Sequence, residues 1–368
     1  MKESLTVIII FLFYCFLLKK LDNFLNLEII VALIPILSFL TVILIFVKKH
    51  QFKINLNYSF IKIAFIEFIV FLLISLLYAM LMSEYFGQTI FSYYFSNVLL
   101  FSPVIIISYL ILVVFGYKKK NDLIYYGNKK LLLLKMMVKI FFLTFIYGSV
   151  CICLTEILTI EKINIQQLDY YFYLIGLTAD VIIALFGYTF VSHWFNNEVK
   201  SVDESLSGWL ICIICYPPFL YLYKMLLSQI DDYTWGDWAK GQWYYYPWLF
   251  LIISTWLLYW FSHAHFGFKF SNLTWRGLVN TGLYRYFRHP AYLFKNIYWW
   301  AYTVPFFGVM GFDLIHNFLA MAAISLIYYF RAKTEEKHLL CFPEYQQYHA
   351  WVEEHGFFAK VKKWLKIR

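Results

Sequence analysis

Apolar residues run along this chain in long continuous blocks, not in alternation with polar ones. Ten blocks stand out, at 4–18, 27–47, 60–82, 95–115, 131–155, 170–192, 206–228, 247–262, 291–311 and 313–330. A helix needs about 20 apolar residues to cross a bilayer, whereas a barrel strand would alternate over roughly ten. The pattern predicts an all-α, polytopic transmembrane helical bundle of about ten spans, and strands are not expected. Blocks of about 15 residues also suit re-entrant segments.

The polar positions between the blocks sort by charge. With the N-terminus placed in the cytoplasm, twenty-two Lys and Arg residues fall on the cytoplasmic side. They are Lys2, Lys48, Lys49, Lys53, Lys118, Lys119, Lys120, Lys129, Lys130, Lys200, Lys269, Arg276, Arg285, Arg288 and the eight from Arg331 onward. The other side holds only Lys19, Lys20, Lys162 and Lys240. Short cytoplasmic loops carry an excess of cations, so both termini are expected to be cytoplasmic. The sequons at Asn57 and Asn272 fall on the same side and are expected to stay unglycosylated. The polar run at 196–205 divides six spans from four, which suggests a region 1–200 and a region 201–368. Residues 230–248, with Asp231, Asp232, Trp235, Trp238, Trp243 and Trp248, suit an amphipathic segment at the outer interface. After residue 342 the pattern changes again. Pro343 can open a helix, Tyr345, Tyr348, Trp351 and Val352 follow at helical spacing, and Lys360, Lys362, Lys363, Lys366 and Arg368 form a basic tail. A C-terminal cytoplasmic helix lying on anionic lipid is expected.

Composition agrees with this picture. Of 368 residues, 62% are hydrophobic and 14% charged, against about a quarter charged in soluble domains. The net charge of +9 is accounted for by the flanks of the spans, so a nucleic-acid partner is not expected; the expected partner is the lipid bilayer. Of the six cysteines, Cys15, Cys151, Cys153, Cys212 and Cys215 lie inside apolar runs, which argues against a disulfide framework. The N-terminus lacks a small-residue cleavage site, and the first span is expected to be retained.

Chemistry concentrates in two polar stretches, 282–292 (GLYRYFRHPAY) and 331–348 (RAKTEEKHLLCFPEYQQY). The 38 residues between them suffice for two crossings and return the chain to the side it left. Arg288, His289 and Tyr292 are thereby expected to meet Glu335 and Glu336 at the cytoplasmic face. Pro290 suits the first turn of a helix, on which His289, Tyr292 and Asn296 share one face. Arg offers a carboxylate a bidentate fork, and Glu accepts from an ammonium group or ribose hydroxyls, so the set suits a zwitterionic ligand. The bland alternatives are arginines touching lipid phosphates beside Tyr284 and Tyr292 in an aromatic belt, and a solvated helix face in which Arg331, Lys333 and Lys337 offset the two glutamates. Elsewhere, Cys212/Cys215 and His263/His265 read as packing and interfacial residues rather than metal ligands. Glu67 and Asp180 sit inside spans, where ionisable groups are expensive. Lys62, Lys135, Lys139 and Lys224 are candidate partners or snorkelling side chains.

The motif residues Gly282, Tyr284, Arg285, Arg288, His289, Pro290 and Tyr292, followed after two spans by Glu335, Glu336 and Leu339 and then by Tyr345 and Tyr348, resemble the isoprenylcysteine carboxyl methyltransferase family, within the phospholipid methyltransferase superfamily. The similarity covers roughly 205–350. The chain departs from the pattern at Phe294, where a Gly is usual, and at Pro343. The resemblance implies an integral-membrane S-adenosylmethionine-dependent methyltransferase with a cytoplasmic cofactor pocket and a lipid or lipid-linked acceptor. It implies cofactor contacts from Tyr284, Arg288, His289, Tyr292, Glu335 and Glu336, catalytic roles for Arg288 and Glu335, substrate-facing Asn296 and Trp299, and no metal. A cytoplasmic cofactor face points to a bacterial inner membrane. Two rival readings are a sterol-reductase-type membrane reductase using NADPH, and a non-catalytic transporter or assembly protein built on the same core.

Overall fold

The computed structural model describes residues 1–50, 57–116, 129–164, 167–192, 195–231 and 233–365. Lys53, Lys118, Lys119, Lys120, Asp232, Lys366 and Arg368, assigned above to loops and tail, lie outside the described residues. The described chain is nearly all helical and forms two compact units. The first comprises Met1–Ile163, Thr178–Val202 and Gly267–Gly277, and the second Asn164–Leu177, Asp203–Phe266 and Leu278–Arg368.

The first unit contains α1 (Lys2–Lys19), α2 (Leu27–His50), α3 (Tyr58–Glu84), α4 (Ile90–Leu100), α5 (Ser102–Val114), α6 (Lys129–Thr159) and the later half of α7 (Leu168–Thr189). Asn57 caps α3 by accepting from the Phe60 amide at 3.1 Å, satisfying a donor that helix geometry leaves open. Phe101, ahead of Pro103, separates α4 from α5, and the two helices meet at a 72° bend. Gly148 lets α4 approach α6 closely, since a Cβ there would strike the Ile90 carbonyl. Such small-residue contacts are a common way for membrane helices to pack. Strands were not expected, yet Ser201–Val202 (β1) pairs antiparallel with Thr274–Trp275 (β2). Two residues per strand are too few to leave a period in the sequence.

The second unit holds the earlier half of α7, then α8 (Leu206–Ile213), α9 (Leu220–Leu227), α10 (Trp235–Ala239), α11 (Tyr245–Phe266), α12 (Pro290–Thr303), α13 (Phe312–Leu339), α14 (Pro343–His355) and α15 (Phe357–Trp364). Its aromatic core gathers Trp235, Trp256, Tyr259 and Tyr298. Trp235 is thus buried, its Nε1 donating to Asp169 at 2.9 Å, while Trp243 is exposed. Within the 230–248 segment Trp235 therefore packs inward and Trp243 faces outward.

Six helices among the described residues are long and apolar enough to cross a membrane: α2, α3, α6, α7, α11 and α13. The bent α4–α5 pair makes a seventh if taken as one span. The other expected spans are helical but fall short for separate reasons. α1 has 18 residues but carries Lys2, Glu3 and Lys19. The 206–228 block is broken between α8 and α9 at Pro217 and Pro218, which donate no backbone hydrogen bond. α12 ends after 14 residues at Val304, which has a left-handed φ of 46° and precedes Pro305. At 1.5 Å per residue it is about 21 Å long, short of a bilayer core of roughly 30 Å.

Candidate functional site

The 282–289 segment is shaped by its backbone. Gly282 has φ +62°, and a Cβ there would run into the His265 imidazole. A single 3₁₀ turn, Gly282–Arg285, follows. α14 then clamps the segment from outside. The Tyr348 hydroxyl donates to the Tyr284 carbonyl at 2.7 Å, with a second contact to the Phe287 carbonyl at 3.3 Å. The Phe357 amide, at the start of α15, donates to the Tyr286 carbonyl at 2.9 Å. The helix after residue 342 therefore begins at Pro343 as the sequence suggests, but its Tyr345, Tyr348 and Val352 face is buried against protein.

Pro290 occupies the first turn of α12 with His289 as the N-cap residue, a position where the missing N–H costs nothing. α12 and α13 run as a hairpin, so the start of α12 lies beside the end of α13. There Arg288 Nε sits 3.2 Å from Glu336 Oε1. His289 Nε2 lies 3.3 Å from the same oxygen, and Nδ1 lies 3.8 Å from Glu335 Oε2. The Tyr292 hydroxyl donates to Glu335 Oε2 at 3.0 Å. Lys333 adds a contact to Glu336 Oε2 at 3.2 Å. Five of the six predicted contact residues, Arg288, His289, Tyr292, Glu335 and Glu336, meet in one cluster. The two carboxylates differ sharply: the Glu336 side chain is 8% exposed and Glu335 39%. A buried carboxylate needs compensating charge, and Glu336 has three cationic or ionisable neighbours in Arg288, His289 and Lys333.

Flat groups stack through the cluster. The His289 ring lies over Tyr292 at 5.6 Å, and Tyr292 over Tyr328 at 6.1 Å, both nearly parallel. The Arg331 guanidinium stands 5.4 Å from the Tyr292 ring centre, and its Nη2 reaches Cys212 Sγ at 3.8 Å. Tyr284 is buried, edge-on to Phe266 at 5.1 Å; burial, then the nearby Glu335 carboxylate, push its hydroxyl well above its ordinary value.

Asn296 and Trp299, expected to face substrate, link α12 to α13. Ser325 Oγ donates to Asn296 Oδ1 and accepts from Trp300 Nε1, each at 2.9 Å. Trp299 Nε1 donates to the Tyr328 hydroxyl at 3.1 Å, which is itself hydrogen-bonded to the Tyr223 hydroxyl.

The residue missed in the sequence is His349. Its Nε2 is hydrogen-bonded to Arg288 Nη1, and its Nδ1 lies 3.7 Å from Glu353. Partial burial, then the Arg288 charge, lower its pKa from 6.5. An N–H of Arg can only be accepted by a neutral imidazole nitrogen. The available signal was position: His349 lies four residues after Tyr345, on the inward face of a helix already singled out. His263 packs against Tyr259, and His265 Nδ1 is bonded to the Phe261 carbonyl at 2.8 Å. Among the described residues no cluster of His, Cys, Asp and Glu suits a metal ion.

Comparison of the chain with protein-family models, with curated proteins and with solved structures finds no match.

Proposed function

We propose that the chain is an integral-membrane methyltransferase that uses S-adenosylmethionine and acts on a lipid or lipid-linked acceptor at the cytoplasmic face. The observation that carries this reading is the meeting of Arg288, His289 and Tyr292 with Glu335 and Glu336 at one end of the α12–α13 hairpin. The sequence resemblance supports it independently of that geometry.

The side chains suit such a ligand by charge and shape. Arg288 offers N–H donors to a carboxylate. Glu335, the more exposed carboxylate, accepts from an ammonium group or from ribose hydroxyls. His289 faces both carboxylates, with Nδ1 toward Glu335 and Nε2 toward Glu336. Internal ion pairs hold these groups in place, and a zwitterion entering the cluster exchanges them for pairs of its own at little cost in buried charge. Tyr284 and Glu336 are positioning residues: the first is buried edge-on to Phe266, and the second holds Arg288 and His289. When bound, S-adenosylmethionine supplies a sulfonium methyl group, which passes to an acceptor lone pair as the carbon–sulfur bond breaks with its electrons onto sulfur. The chain's own contribution is alignment and exclusion of water, which suffice for a carboxylate acceptor; an amine or hydroxyl acceptor also requires a base.

The topology belongs to the same proposal. Ten crossings, with α8–α9 and α12 as broken or short spans, place both termini and the cluster in the cytoplasm of a bacterial inner-membrane protein. α15, with exposed Phe357, Phe358, Trp364 and Leu365 interleaved with Lys360, Lys362 and Lys363, lies on the inner leaflet.

The deciding experiment is transfer of labelled methyl from S-adenosylmethionine into native lipid extracts, with the product identified by mass. Label should enter a lipid fraction with the parent chain and fall at least tenfold with Arg288→Ala or Glu335→Gln. Full function in cells with both variants would sink the reading. Thermal-shift titration with S-adenosylmethionine and with NADPH separates it from a reductase.

A further inference from the structure

The first unit contains a partly open cavity of about 300 Å³, at the lower end of the range that takes small ligands. Its apolar wall includes Phe39 and Leu40 from α2, Phe68 and Phe71 from α3, and Ile105 and Leu112 from α5. Its polar lining includes Lys135 and Lys139 from α6 and Arg276 just after β2, together with Glu67 and Glu198. Lys135 and Lys139 are four residues apart and share one helix face. Arg276 is buried and anchored, its Nη1 donating to the Gly187 carbonyl at 2.6 Å and the Phe268 carbonyl at 3.2 Å.

Ionisable side chains within a membrane bundle are costly and are typically kept for a substrate or ion. Here the intramembrane Glu67, Lys135 and Lys139 picked out in the sequence converge on one space with Arg276 and Glu198. The lining places three cations and two carboxylates on an otherwise hydrocarbon wall. We propose that this cavity binds a single-chain amphiphile with an anionic head, a phosphate or a carboxylate. The head lies toward Lys135, Lys139 and Arg276, and the chain lies along the Phe39–Phe71–Leu112 wall. Every lining residue belongs to the first unit, so the inference does not rest on the methyl-transfer reading.

The test uses the full chain in phosphatidylcholine nanodiscs and native mass spectrometry. The probes are dodecyl phosphate, dodecanoate, dodecanol and inorganic phosphate. One dodecyl phosphate or one dodecanoate should bind per chain, with dodecanol and inorganic phosphate at least tenfold weaker. Lys135→Met with Lys139→Met should weaken the anionic probes at least tenfold and leave dodecanol unchanged. Lys135→Arg with Lys139→Arg should restore them. Leu112→Trp, which fills the wall, should abolish binding, and it decides the matter if the double Met variant does not fold. Parent-like binding of dodecyl phosphate by Leu112→Trp, or by a folded double Met variant, overturns the proposal. So does equal binding of dodecanol, equal binding of inorganic phosphate, or no binding at all.

Discussion

Arg288 answers to two partners at once: Nε faces the Glu336 carboxylate, and Nη1 faces His349. A lysine cannot reproduce that fork, so Arg288→Lys should cut methyl transfer nearly as far as Arg288→Ala, measured by label incorporation. Stranding a buried carboxylate outright costs about 3–5 kcal/mol. Lys333 and His289 still face Glu336 in Arg288→Ala, so its loss in a detergent melt should stay well below that. His349 supplies a pH dependence. Its folded pKa is lowered from 6.5 by burial and by Arg288. A lowered histidine pKa means the neutral form is favoured on folding, so its contribution is complete above 6.5 and is lost as pH falls through the lower folded value. The parent should therefore lose melting temperature on acidification from about pH 7 to pH 5 more steeply than His349→Gln. A parallel decline in the two proteins would contradict this. At Gly282 the left-handed φ is joined by contact with His265. Gly282→Ala should cost about 1–2 kcal/mol, and adding His265→Ala should recover only the steric part, as a double-mutant cycle of melts would register.

At the scale of elements, the α12–α13 hairpin depends on polar bridges as much as on apolar packing. Ser325 accepts from Trp300 and donates to Asn296. Ser325→Ala leaves both groups short of a partner and should cost about 1 kcal/mol, in line with interhelical hydrogen bonds in membranes. Because this bridge sets the helix pair that carries the cluster, labelled-methyl transfer should fall in the same variant. Unchanged activity would mean that the cluster is held by its ion pairs alone. α14 contributes in a different way from that expected of a surface helix: its buried tyrosine face grips the 282–289 segment through backbone carbonyls. Tyr348→Phe should loosen that grip while leaving the ring packing in place.

For the molecule as a whole, the proposed topology puts the exposed Cys341 in the cytoplasm. A membrane-impermeant maleimide should label it only after permeabilisation, with Cys341→Ser as the control. Labelling of intact cells at this residue would invert the orientation and remove the cluster from the cytoplasmic face.

Sequence alone determined the helical, membrane-directed character of the chain and the positions of its apolar blocks, because hydropathy over about 20 residues is a local property. It also picked out Arg288, His289, Tyr292, Glu335 and Glu336, since their two polar stretches flank a largely apolar stretch of 38 residues, long enough for a helical hairpin. Only the tertiary structure decided which blocks hold as single long helices, because the ends of α8 and α12 depend on Pro217–Pro218 and on the left-handed Val304. It alone separated buried Glu336 from half-exposed Glu335, since adjacent residues on a helix face about 100° apart and their fates depend on what packs there. It turned Asn296 and Trp299 toward α13 and brought His349 to Arg288. Those pairings arise from helix rotation and from the docking of α14, which no periodicity along the chain records.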